Sequence, residues 1–163
     1  TLVFDRVKLR GKFVVPWKLD LERFELPRAT AGAEWFGTDV IVGGEYHFNG
    51  TGAADAGDYA AAAASQEFQR GEPYFLGRQY SGLYGSYTGI DQLELMLTAI
   101  SNVTDPSLIV APNARYQIAQ NTTLGAGAFV SAGDEPTLSP APALESEFGS
   151  YGNFYFMEFT THY

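Results

Sequence analysis

The side chains able to do chemistry are few, and they do not converge. Histidine occurs only as His47 and His162, neither at a metal-binding spacing from a second donor. The absence of Cys excludes thiol catalysis, disulfide scaffolds and Cys-bound zinc. Ser and His are present, yet no G-x-S-x-G turn presents a serine nucleophile. Glu45, Glu94 and Glu158 fall on matching faces of their segments, where a buried pair would serve proton transfer. They sit in three different segments and have no partner nucleophile. The expectation is no enzyme, no catalytic residue, no metal and no cofactor.

One concentrated feature remains, and it is cationic. Arg6, Lys8, Arg10 and Lys12 alternate with Val7, Leu9, Gly11 and Phe13, so one side of an extended segment is basic and the other apolar. Such a wall would favour anions if unpaired. If acids such as Glu34 or Glu45 face it from neighbouring segments, the charges cancel instead. Both readings follow from the sequence.

The elements that must position these groups show the same period of two. Eight segments carry it, at 6–15, 26–35, 38–49, 78–89, 93–102, 107–119, 122–131 and 153–163. In 38–49, Val40, Val42, Tyr46 and Phe48 oppose Asp39, Glu45 and His47. In 93–102, Leu93, Leu95 and Leu97 oppose Glu94, and in 107–119 Leu108, Val110 and Tyr116 oppose Arg115. In 153–163, Tyr155, Met157 and Phe159 oppose Glu158 and His162. Segment 78–89 mixes Tyr80, Tyr84 and Tyr87 with small residues and does not divide into two faces.

Segments of roughly ten residues match a tilted membrane-crossing strand of about 9 to 11 residues, whereas soluble strands average about five or six. Short links at 36–37, 90–92 and 120–121 alternate with long ones at 50–77 and 132–152, and a small turn at Asp105-Pro106 lies on the long side. Outer-membrane barrels have this asymmetry. The long links hold Asp55, Asp58, Glu67, Glu72, Asp134, Glu135, Glu145 and Glu147, and are expected to be solvated. The run Ala60 to Ala64 predicts a short helix there, and Pro136, Pro140 and Pro142 an extended stretch.

Composition agrees. Acidic residues number 19 against 10 basic, a net charge of −9 that argues against a nucleic-acid partner. No run approaches the roughly 20 apolar residues of a membrane helix. Trp35, Tyr46, Tyr80, Tyr116, Tyr155 and Tyr163 lie near segment ends, as an aromatic girdle at a membrane interface requires. The charged set Arg6, Lys8, Arg10, Lys12, Glu45, His47, Glu94, Arg115 and Glu158 would then face the lumen.

The last eleven residues place Tyr155, Met157 and Phe159 in steps of two and end in an aromatic. They resemble the C-terminal strand signal of bacterial outer-membrane proteins, with Thr161 and Tyr163 where an apolar residue and Phe are commoner. Residues 93–133, with the turn Asn102-Val103-Thr104-Asp105-Pro106-Ser107, resemble the closing hairpins of larger porin-like barrels, as does 44–50 leading into a long loop. The resemblance covers about residues 38–163. It implies an all-β, antiparallel up-and-down transmembrane β-barrel in the bacterial outer membrane, forming a channel for small polar solutes or a sheath around a partner. The partners it implies are the lipid bilayer, the barrel-assembly machinery acting on the C-terminal strand, and a second copy or another envelope protein.

The chain starts at Thr1 without an initiator Met, and the expectation is one domain over 1–163 that is either a mature export product or the C-terminal part of a larger barrel. The rival reading is a soluble or surface-attached β-barrel or β-sandwich that holds a ligand among inward apolar faces. The direction of Leu95, Val110 and Phe159 separates the two.

Overall fold

Alternating segments leave every second side chain on one side, so pairing them side by side sorts the whole sheet into two faces. The computed structural model describes residues 1–14, 28–71, 75–138 and 142–162. Nine strands there form one antiparallel sheet in chain order. They are β1 (Leu2–Phe4), β2 (Val7–Val14), β3 (Arg28–Phe36), β4 (Val40–Asn49), β5 (Gln79–Ile90), β6 (Leu93–Asn102), β7 (Ser107–Ala119), β8 (Thr122–Ala132) and β9 (Phe154–Thr161). The fold is all-β and up-and-down, and β1 and β9 each have a single neighbour, so the sheet is open.

The expected eight strands are nine because the chain reverses at Asp5 and Arg6, pairing Leu2 with Leu9 and Phe4 with Val7. Asp5 takes a φ of 44°, a left-handed conformation that Asp tolerates better than most residues. This corrects the place of Arg6. It lies in the turn, where its carbonyl accepts the Phe36 N–H, and does not extend the basic row of β2.

Tight turns at 37–39, 91–92 and 120–121 mark one end of the sheet, and the links 50–78, 103–106 and 133–153 mark the other. Register shifts in the β5–β6 and β7–β8 pairings lie near the tight-turn end. Inside the first long link, α1 (Tyr59–Ala64) and α2 (Gln66–Gln69) form where the alanine run predicts helix, and Ser65 caps α2 by accepting from Phe68 N–H at 3.2 Å. No helix among the described residues is long and apolar enough to cross a membrane. Of the sequence expectations, those resting on Val15, Leu26, Pro27, Glu72, Pro140, Tyr163 and the Glu67 side chain lie outside the described residues.

Candidate functional site

Register assigns each residue to a face, because directly paired residues point the same way. One face carries Val7, Leu9, Val42, Leu83, Leu95, Leu97, Val110, Met157 and Phe159. Nearly all of its large side chains are exposed, up to 77% for Met157. Trp35 and Tyr116 stand toward the tight-turn end of this face, Tyr46 and Tyr155 toward the long-loop end, and all four are exposed. Near its middle Gly85, Ala114 and Ala126 are small between Val42, Tyr87 and Leu97, leaving an apolar depression of about 630 Å³.

The opposite face holds the charged residues in separate groups. Lys8 pairs in register with Glu34, and its Nζ lies 3.2 Å from a Glu34 oxygen. Arg10 lies 3.5 Å from Glu34 and 3.9 Å from Glu45. The Tyr84 hydroxyl joins them, accepting from Arg10 at 2.8 Å and donating to Glu34. Tyr84 reaches that position because residue 43 is Gly: a Cβ there would stand 2.2 Å from the ring. The basic row of β2 is thus paired at Lys8 and Arg10, by the two acids that the alternation of β3 and β4 turns toward it.

A second group lies near the tight-turn end. Glu94 pairs with Arg115, Arg115 with Gly125, and Gly125 with Glu158, which places the three charged residues along one row. With His162 they line a cleft of about 530 Å³. The remaining members stand apart from both groups. His47 shares a hydrogen bond of 2.8 Å with Thr30, and Lys12 lies opposite Thr30 on the far side. Among the described residues no three His, Asp or Glu side chains gather as metal donors.

The third group was missed by sequence reasoning. Tyr80, Asn102 and Ser107 form a row across β5, β6 and β7 at the long-loop end of the charged face, and all three are buried. Tyr80 therefore corrects the girdle expectation. It is 2% exposed and points to the charged side, stacked on Phe75 at 4.5 Å and near Phe148 at 6.3 Å. Glu147 corrects the solvated-loop expectation, being 1% exposed. Its carboxylate accepts from Leu76 N–H at 2.9 Å, from Asn102 at 2.8 Å and from the Tyr80 hydroxyl.

Asp105, half-buried, is the other acceptor in this group. It receives Tyr59 O–H at 2.5 Å, Glu147 N–H at 2.6 Å, Asn102 at 3.2 Å, and the Ser107 N–H and hydroxyl at 2.9 and 2.5 Å. Buried carboxylates need such donors, because an unsatisfied charge away from water is costly. Burial, reinforced by the Asp105 acceptor, pushes the Tyr59 phenol above its ordinary range, so it remains a donor. Burial followed by the Glu147 charge raises Tyr151 as well.

A faint signal of this group is present in the sequence. Asn102 and Asp105 each accept a backbone N–H two residues on, from Thr104 and Ser107, the habit of Asn and Asp in turns. Glu147 next to Phe148 in a Gly- and Ser-rich link carries no comparable mark.

The sheet thus offers an apolar face and a charged face with two ionic groups and a hydrogen-bonded group at the long-loop end. Compared with known protein families, characterised proteins and solved structures, the chain matches none.

Proposed function

We propose that this sheet is wall of a transmembrane β-barrel in a bacterial outer membrane, its apolar face against lipid and its charged face lining a passage for small polar solutes. The observation carrying this reading is the inverted distribution: large apolar side chains are exposed across the sheet while Glu34, Tyr84 and Arg10 interlock on the other face. In water an apolar surface of this extent would drive association. Against hydrocarbon it is the favourable arrangement.

The dimensions fit. A ten-residue strand rises about 33 Å along its axis, and a barrel tilt of about 40° reduces that to about 25 Å, the height of the apolar band of such barrels. Trp35 and Tyr116 against Tyr46 and Tyr155 supply rings toward both margins. Closure needs the free edge of β9 to meet a strand running antiparallel to it, the direction taken by β2. The assembly machinery would act on β9, and the channel needs no catalytic residue.

A second reading, a sheet that binds an apolar ligand, draws on the 630 Å³ depression beside Leu97. One experiment separates the two. The purified chain is offered dodecyl micelles and preformed liposomes, and sheet content, protease resistance and solute-dependent swelling are followed. The barrel reading expects the chain to enter the bilayer and admit small sugars. A monodisperse protein that stays in buffer without detergent would overturn it.

A further inference from the structure

The two ionic groups of the charged face differ in how their cations are used. Lys8 and Arg10 are matched by Glu34 and Glu45 at 3.2 to 3.9 Å. Arg115 stands in register beside Glu94, with Glu158 two strands away on its other side, yet among the described residues Arg115 and Glu94 form no ion pair or hydrogen bond. Glu158 accepts only from the Thr160 hydroxyl, at 3.0 Å. The row holds no side chain at Gly125, and Glu158 leans over that gap, its Oε2 3.7 Å from the place a Cβ would take. The cleft of about 530 Å³ lies over this row.

Along the row the charges run acid, cation, acid, across three strand spacings or roughly 14 Å between the end backbones. An unpaired guanidinium offers a fork of N–H donors that fits a carboxylate. Acids on both sides repel a phosphate or a dicarboxylate, and accept from cations carried beside a single carboxylate. Their spacing is unequal. Glu94 is one strand from Arg115, whereas Glu158 is two strands away across Gly125. A matching ligand therefore has one cation next to its carboxylate and a second at the end of a stem.

We propose that this cleft binds a small diamino monocarboxylate, the chemistry of a basic α-amino acid. Its carboxylate pairs with Arg115, its α-ammonium with Glu94 and its side-chain cation with Glu158. The row lies on the charged face whichever medium meets the apolar one, so the site does not depend on the channel reading.

The test is calorimetric titration of the full chain, in detergent micelles at low salt, with lysine and three analogues. Norleucine lacks the second cation, Nα-acetyl-lysine lacks the first, as a C-terminal lysine of a peptide would, and 1,5-diaminopentane lacks the carboxylate. Lysine should bind about tenfold more tightly than each, the worth of one hydrogen-bonded charge. Arg115→Gln should remove the advantage of lysine over the diamine, and Glu158→Gln its advantage over norleucine. Arg115→Lys keeps the charge without the fork and should retain part of the preference.

Equal affinities of the parent for lysine and the three analogues, or no binding of lysine, would overturn the site, and that comparison needs no variant to fold. Swelling of liposomes without a lysine preference would sink this site alone. A lysine preference without swelling would uphold the site and sink the channel reading.

Discussion

The middle of the sheet and its long-loop end use the same charged face in opposite ways. In the middle, Lys8 and Arg10 meet Glu34 across strands while their side chains keep over a third of their surface exposed. At the long-loop end Glu147 and Asp105 are held by neutral donors, with Tyr59 and Phe148 packed around them as in an ordinary core. Charge is tolerated in the first region because solvent reaches it, and in the second because hydrogen bonds replace solvent. Among the described residues the strands leave their large apolar side chains exposed, and the loops bury Tyr59 and Phe148.

Removing Glu147 should break this contrast most severely. Glu147→Ala leaves the Leu76 N–H and the Tyr80 hydroxyl without their acceptor, while the Asn102 amide keeps Asp105 and Tyr59. At about 1 to 3 kcal/mol for each buried unsatisfied group, the loop end loses roughly 2 kcal/mol or more. Limited proteolysis should cut within 50–78 and 133–153 while far-ultraviolet circular dichroism still reports the sheet. Coincident loss of both signals would show that the two regions are one cooperative unit.

The apolar face gives the next largest effect. Leu97 is half exposed and lies in a row with Gly85 and Pro112. In a bilayer, Leu97→Arg should cost about 2 to 4 kcal/mol near the midplane, read as a lower folding yield into liposomes. In water the same substitution on an exposed position should be almost neutral. A liposome yield equal to the parent would count against lipid on that face.

Alkali distinguishes the regions more gently. The Tyr59 phenol is raised by burial and by its bond to Asp105, so the folded chain holds this proton more tightly than the unfolded chain. Its contribution is therefore complete below the unfolded value near pH 10, and is lost as pH rises above that toward the folded value. Cleavage in 50–78 should increase above about pH 10, and Tyr59→Phe should remove that dependence. An unchanged profile in Tyr59→Phe would assign the transition to another group.

Strand periodicity made the sheet legible, because a period of two names both faces once any strand is placed. The pairing of Arg10 with Glu45 follows from alternation and neighbour order alone. Segment 78–89 resisted because Tyr80 and Tyr84 serve the charged face and Tyr87 the apolar one, and ring chemistry does not say which. The packing of Tyr84 over Gly43 settles it at that position. The loop-end group was illegible for a different reason. Its contacts join residue 147 to residues 76, 80 and 102, and no local pattern encodes such distances. Acids in a long Gly- and Pro-containing link look solvated until a second link is known to fold onto them.

The smallest effect belongs to Lys8, and it tests whether the central ionic group is more than neutralisation. Lys8→Gln removes one ion pair of 3.2 Å whose cation is partly exposed, while Glu34 keeps Arg10 and the Tyr84 hydroxyl. Exposed pairs contribute about 0.2 to 1 kcal/mol, so the midpoint of thermal unfolding should move by about 4 °C at most for a domain of this size. Glu34→Gln should move it further, because Lys8, Arg10 and Tyr84 lose their common acceptor at once. The ratio of the two shifts measures how far the central charges are bound into a network. Equal shifts would reduce the group to independent pairs.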